Sequence, residues 1–131
     1  MQSTNYRVRH LAAFALPRID CESPALVPPL QRLLSDPNEL VRRQALESLA
    51  EFGALAKPAL PQARQFLLNT NTLSRTCALT FFDKVLSDEE FAAIREEVLT
   101  AKLDTDSMVS QVAQYVLSKR PHGDSKNAPE R

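Results

Sequence analysis

Only two glycines occur among 131 residues, and tryptophan is absent. So little glycine excludes a β-rich fold built on many tight turns, and it leaves no glycine-rich loop to cradle phosphates. Cysteine is as scarce: Cys21 and Cys77 stand alone, without the spacing of a zinc site and too few for a disulfide framework. Both are expected as reduced thiols, Cys77 as a small buried hydrophobe. Charge of one sign is also missing, because 16 Lys and Arg balance 16 Asp and Glu. A domain that tracks a phosphate backbone normally carries a basic surplus, so dedicated nucleic-acid binding is disfavoured. Residues 1–6 lack the apolar stretch of a secretory leader, and no apolar run approaches the ~18 residues of a membrane span. A cytoplasmic, reducing setting is the expectation, with no membrane partner.

Histidine is nearly absent too. His10 and His122 lie far apart in the chain, and no His-Glu pair or ligand cluster accompanies them. No strand-turn-helix elbow surrounds Cys77 or any serine to mark an activated nucleophile. The chain is therefore read as non-catalytic, with no metal and no cofactor, and His10 as a surface residue. What is present is ordinary: 44% hydrophobic and 24% charged residues suit one globular domain. That domain is assigned to residues 1–120, followed by a polar, loosely ordered tail over 121–131.

The chain repeats itself. Asn5, Val8, Arg9, Ala12 and Leu16 recur 33 positions later as Asn38, Val41, Arg42, Ala45 and Leu49. A third copy reads Asn71, Ser74, Arg75, Ala78 and Phe82, and a fourth reads Val109, Ala113 and Leu117 after a step of 35. Each copy carries a helical stripe: Val8, Ala12, Leu16 and Ile19 in the first, Val41, Ala45, Leu49 and Phe52 in the second. Asp36-Pro37 reads as the start of the second helix and Gly53 as its end. Between these helices lie others, marked by Leu26, Leu30, Leu33 and Leu34, then Leu60, Ala63 and Leu67, then Phe91, Ile94 and Val98. Seven helices are expected, near 5–16, 24–35, 38–52, 58–69, 72–86, 88–102 and 106–119. Short loops make sequential helices antiparallel neighbours.

The string Leu33-Leu34-Ser35-Asp36-Pro37-Asn38, followed by Val41-Arg42, Ala45 and Leu49, resembles the HEAT repeat, in the compact form that includes the phycobilisome-lyase type. The resemblance spans residues 5 to 120 and thins toward the fourth copy. It implies an all-α, right-handed α-solenoid of three and a half helical hairpins. It also implies a hydrogen-bonded ladder between units, made by Asp36 with Arg42, and by Arg9 and Arg75, and ending where Ser110 replaces arginine. The alternative is that the three arginines line up as a basic ligand-binding row.

Stacked hairpins present a long curved surface, and the repeat step predicts which side chains share it. One column is His10, Arg43, Thr76 and Gln111; a second is Phe14, Glu47, Thr80 and Tyr115; a third is Arg18, Glu51, Lys84 and Lys119. Mixed charge with aromatics suits a protein or peptide partner, docked as on a scaffold, adaptor or inhibitor-like module. Leu11, Phe14 and Ala15 are expected to leave an apolar patch at the amino-terminal end. That patch would invite self-association or docking as an accessory subunit of an enzyme, unless residues 1–5 and Tyr6 fold over it. HEAT-like glycosylases of damaged DNA supply a further alternative, a nucleic-acid or damaged-base binder.

Overall fold

Asparagine opens three of the repeat helices. In the computed structural model, which describes residues 5–120, the side-chain oxygens of Asn5, Asn38 and Asn71 accept the backbone N–H of Arg7 (2.8 Å), Leu40 (2.8 Å) and Leu73 (2.9 Å). Asp106 does the same for Met108 at 2.9 Å. Each satisfies a donor that the first helical turn would leave orphaned. These caps start α1 (Tyr6–Asp20), α3 (Glu39–Ala50), α5 (Thr72–Val85) and α8 (Ser107–Lys119). The cap expected at Asp36-Pro37 is thus displaced to Asn38. Asp36 instead accepts the N–H of Asn38 (2.9 Å), a turn repeated by Asn69 with Asn71 and by Asp104 with Asp106, both at 2.7 Å.

The intervening segments give α2 (Val27–Leu33), α4 (Leu60–Leu67), α6 (Asp88–Ala92) and α7 (Arg95–Lys102). Short 3-10 segments, Pro24–Leu26 and Gly53–Ala59, lead into α2 and α4. Pro28 and Pro61 fall in the first turns of those helices, where a missing N–H costs no intrahelical bond. Gly53, with φ of 58°, turns the chain out of α3. The single helix expected over 88–102 is two. Bonds from Ala93 N–H to the Glu90 carbonyl and from Ile94 N–H to the Phe91 carbonyl tighten and close α6. The kink lets Phe91, Ile94 and Val98 all reach the core.

Helices α1, α3, α5 and α8 stack side by side in that order as a first row. In a second row α2 packs on α3, α4 on α5 and α7 on α8. Ala45, Ala78 and Ala113, fully buried, leave room for close approach between rows. Salt bridges tie the second row together, Lys57 to Glu90 at 2.5 Å and Arg64 to Glu97, each spanning one repeat. The layered stack of helical hairpins is an α-solenoid, with eight α-helices among the described residues.

Helix α1 departs from expectation twice. Its stripe is open at both ends: Val8 and Ile19 are 51% and 71% exposed and Ala12 is half-buried, with Leu16 packed against the core, while Val41, Ala45 and Leu49 are sealed. Helix α3 has α2 behind it and α1 and α5 on its flanks, and α1 is backed by no such helix among the described residues. The helix also continues through Pro17 to Asp20 instead of ending at 16. Proline cannot donate to the Ala13 carbonyl four residues back, which would leave a buried acceptor unpaired. Ser48 of α3 donates its hydroxyl to that carbonyl at 2.7 Å. Ser48→Ala is expected to cost about 1–3 kcal/mol. Adding Pro17→Ala should recover much of that loss by restoring the intrahelical bond, which a double-mutant cycle in urea would read as coupling. Strictly additive effects would contradict this account. The tail expected over 121–131, and residues 1–4, lie outside the described residues.

Candidate functional site

The ladder expected from the resemblance is built, with a different wiring. Arg9 donates two hydrogen bonds to Asp36, Nε to Oδ2 at 2.7 Å and Nη2 to Oδ1 at 3.0 Å. This paired guanidinium holds the Asp36 carboxyl below the ordinary carboxylate range, opposed by burial and helped by the Asn38 N–H. Arg42 does not reach that carboxylate. It donates to the backbone carbonyls of Asp36 (2.7 Å) and Pro37 (3.1 Å), bracing its own turn. Arg75 repeats this at the Asn69 carbonyl (2.9 Å) and approaches Asp104 of the next turn at 3.5 Å. Asn69 stands in the register of Asp36 and Asp104, so the acidic rungs occupy alternate turns. The arginines are engaged with the turns between units, which argues against a basic ligand-binding row.

The columns of the first row face outward. Phe14, Glu47, Thr80 and Tyr115 are exposed, as are Arg18, Glu51, Lys84, Lys119 and Gln111; His10, Arg43 and Thr76 are half-buried. Between α3 and α5 they border a depression of about 250 Å³, lined by Glu47, Ala50, Glu51, Thr76, Cys77, Thr80 and Lys84. At its floor the Cys77 thiol donates to Glu47 at 3.4 Å. Burial, with the Glu47 carboxylate beside it, pushes that thiol up to about 12, so it stays protonated and inert at neutral pH. At the two ends of the face the same device recurs four residues along each helix. The Arg18 guanidinium lies 3.8 Å from the Phe14 ring centre, and the Lys119 ammonium 5.2 Å from that of Tyr115. Acidic groups thus sit at the centre of the face, between aromatic rings already covered by cations.

Leu11 and Phe14, where the apolar patch is expected, are 63% and 42% exposed, Ala15 is exposed with them, and the Arg18 guanidinium lies over the Phe14 ring. Tyr6 is itself helical at the margin of exposure and does not cover that patch. Two features carried no signal in the repeat. Arg120 is buried at the carboxyl end of the array, against Asp83 and Leu86. A cavity of about 320 Å³ opens between α4, α5 and α7, lined by Leu67, Leu68, Arg75, Glu97 and Asp104 among others. Arg120 has no counterpart in the repeat, and the cavity joins repeat positions such as Arg75 and Asp104 to others that only the stacking brings to them.

Hairpins stacked in two rows, with arginines bracing the turns between them, define the class as a helical-repeat solenoid. A family model for HEAT repeats matches residues 1–79, and the chain belongs to the HEAT repeat family. Comparison with curated proteins and with solved structures gives no match. HEAT repeats generally mediate protein interactions. No helix among the described residues is long and apolar enough to cross a membrane.

Proposed function

We propose that this protein is a non-catalytic binding module that docks a protein segment on the face of its first row, centred on the depression between α3 and α5. The observation that supports this reading is the alignment of Glu47, Glu51, Thr80 and Lys84 around one concavity on an otherwise rigid stack. Adjacent hairpins hold these side chains at fixed separation, so a partner meets a preorganised surface and little ordering entropy is lost. Glu47 and Glu51 stand one turn apart on α3, and Glu51 has only a loose, solvent-screened approach from Arg18 at 3.7 Å. A basic side chain from the partner fits between them. Such a module would serve as a scaffold, an adaptor or an accessory subunit.

The test is a photo-crosslinker placed at Thr80, followed by reconstitution with the purified captured protein. Glu47→Lys with Glu51→Lys is expected to weaken that binding at least tenfold while leaving the helical circular dichroism unchanged. Binding indifferent to this charge reversal would remove the reading. Salt-sensitive capture of nucleic acid, lost in Arg43→Glu with Lys84→Glu, would favour the nucleic-acid alternative instead.

A further inference from the structure

Every later first-row helix hides one particular face against the helix before it. That face carries Gln44 and Ser48 on α3, Cys77 and Phe81 on α5, and Val112 and Val116 on α8. Ser48, Phe81 and Val116 are at most 1% exposed. The same repeat positions on α1 are Leu11 and Ala15, and both are exposed. Val8 and Ile19 extend the open surface along the helix. The interface that runs down the row therefore continues, in chemistry and in register, onto the bare side of α1. An occupant of that side is a helix of first-row type.

A second copy of the chain offers two ends. Its far end is polar: Gln114 and Ser118 of α8 are exposed where α3 buries Leu46 and Ala50. Head-to-tail stacking would press apolar α1 onto those polar side chains, and that disfavours an open filament. The amino-terminal end is self-complementary. Val8, Ala12, Ala15 and Ile19 follow at steps of four, three and four, so large, small, small, large reads alike in both directions. A two-fold axis between Ala12 and Ala15 places Val8 against Ile19 of the second copy and Ala12 against its Ala15. The alanines allow the two backbones to approach closely. The flanking cations have acidic partners on their own chain, Arg9 at Asp36 (2.7 Å) and Arg18 at Glu51 (3.7 Å), which lessens the repulsion between copies.

We propose that α1 is a homodimer interface, two copies packing their first helices antiparallel across this axis. The proposal is independent of the docking face. The open portions of Val8, Leu11, Ala15, Ile19 and their neighbours amount to roughly 500 Å² per copy, about 1,000 Å² in all, the lower bound for a specific interface. An interface at that lower bound is a weak one, so association is sought at micromolar concentrations, on the order of 10 µM.

Sedimentation equilibrium of the full chain from about 1 to about 200 µM brackets that value. The native protein should pass from monomer to dimer across the range. Ala15→Glu, on an exposed helical position, should stay monomeric throughout, with unchanged circular dichroism and, below about 1 µM where both chains are monomers, an unchanged thermal midpoint. Orientation is read by disulfide trapping in a Cys21→Ser background. Val8→Cys mixed with Ile19→Cys should form the mixed disulfide, while Val8→Cys alone should not link to itself. A native chain that remains monomeric at 200 µM overturns the proposal. So does a dimer that survives Ala15→Glu, or rapid self-linking of Val8→Cys, which would mean a parallel pairing.

Discussion

Phe81→Ala should remove a large part of the stability of the array. Phe81 is fully buried on the face of α5 that meets α3, and its ring lies edge-on to Phe82 with centroids 6.4 Å apart. Truncation of a buried phenylalanine costs about 3–5 kcal/mol, against a total of about 5–15 kcal/mol for a domain. The position makes the loss worse. Helix α5 packs against α3, α4 and α8, so it joins the two ends of the stack. In a repeat array each unit is held only by its neighbours, and a weakened centre lets the ends melt separately. Urea denaturation followed by circular dichroism should show a lower midpoint and a reduced slope, while Phe81→Leu keeps most of both. A midpoint unchanged within error would show that the α3–α5 junction does not hold the stack together.

Arg120→Ala is expected to be nearly as damaging, for a polar reason. The last carbonyls of a helix have no intrahelical donor. At the end of α5, Arg120 donates from Nη2 to the carbonyls of Asp83 and of Leu86, the latter at 2.6 Å. Its Nε lies 3.5 Å from the Asp83 carboxylate, and its plane covers the Phe91 ring at 4.9 Å. One side chain therefore clasps α5, the turn after it and α6 to the end of α8. Removing it leaves buried acceptors unpaired, at a cost of about 2–4 kcal/mol. Arg120→Lys should not rescue the loss, because an ammonium cannot present a planar fork to several acceptors at once. Hydrogen exchange should show the amides of residues 86–94 losing protection first. Full rescue by lysine would reduce the clasp to a simple charge effect.

The repeat was legible because stacking forces the same residue types to recur. Val41, Ala45 and Leu49 announced a buried face, whereas the pairing of Asp36 with Arg42 that the resemblance implied gave way to Asp36 with Arg9. The outward columns followed by counting, since a residue one repeat on must point the same way. The identical pattern misled on α1, where Val8 and Ile19 carry the core stripe yet face outward. Periodicity states which side of a helix is apolar and is silent on whether a neighbour covers it. The first helix, expected near 5–16, runs on through Pro17 because the Ser48 hydroxyl, 31 positions away, replaces the hydrogen bond that proline cannot make.

Composition and period by themselves determined an all-helical repeat, its caps in outline, its core alanines and the set of side chains that share a face. These are local or one-step properties, dictated by 3.6-residue geometry and by the need of each hairpin to bury an apolar side. Tertiary structure alone decided that Arg120 would lock the far end, that Arg42 would brace carbonyls instead of a carboxylate, and that α1 would leave its stripe open. Those outcomes depend on which atoms arrive within 3 Å of one another after stacking, a distance that no spacing along the chain encodes.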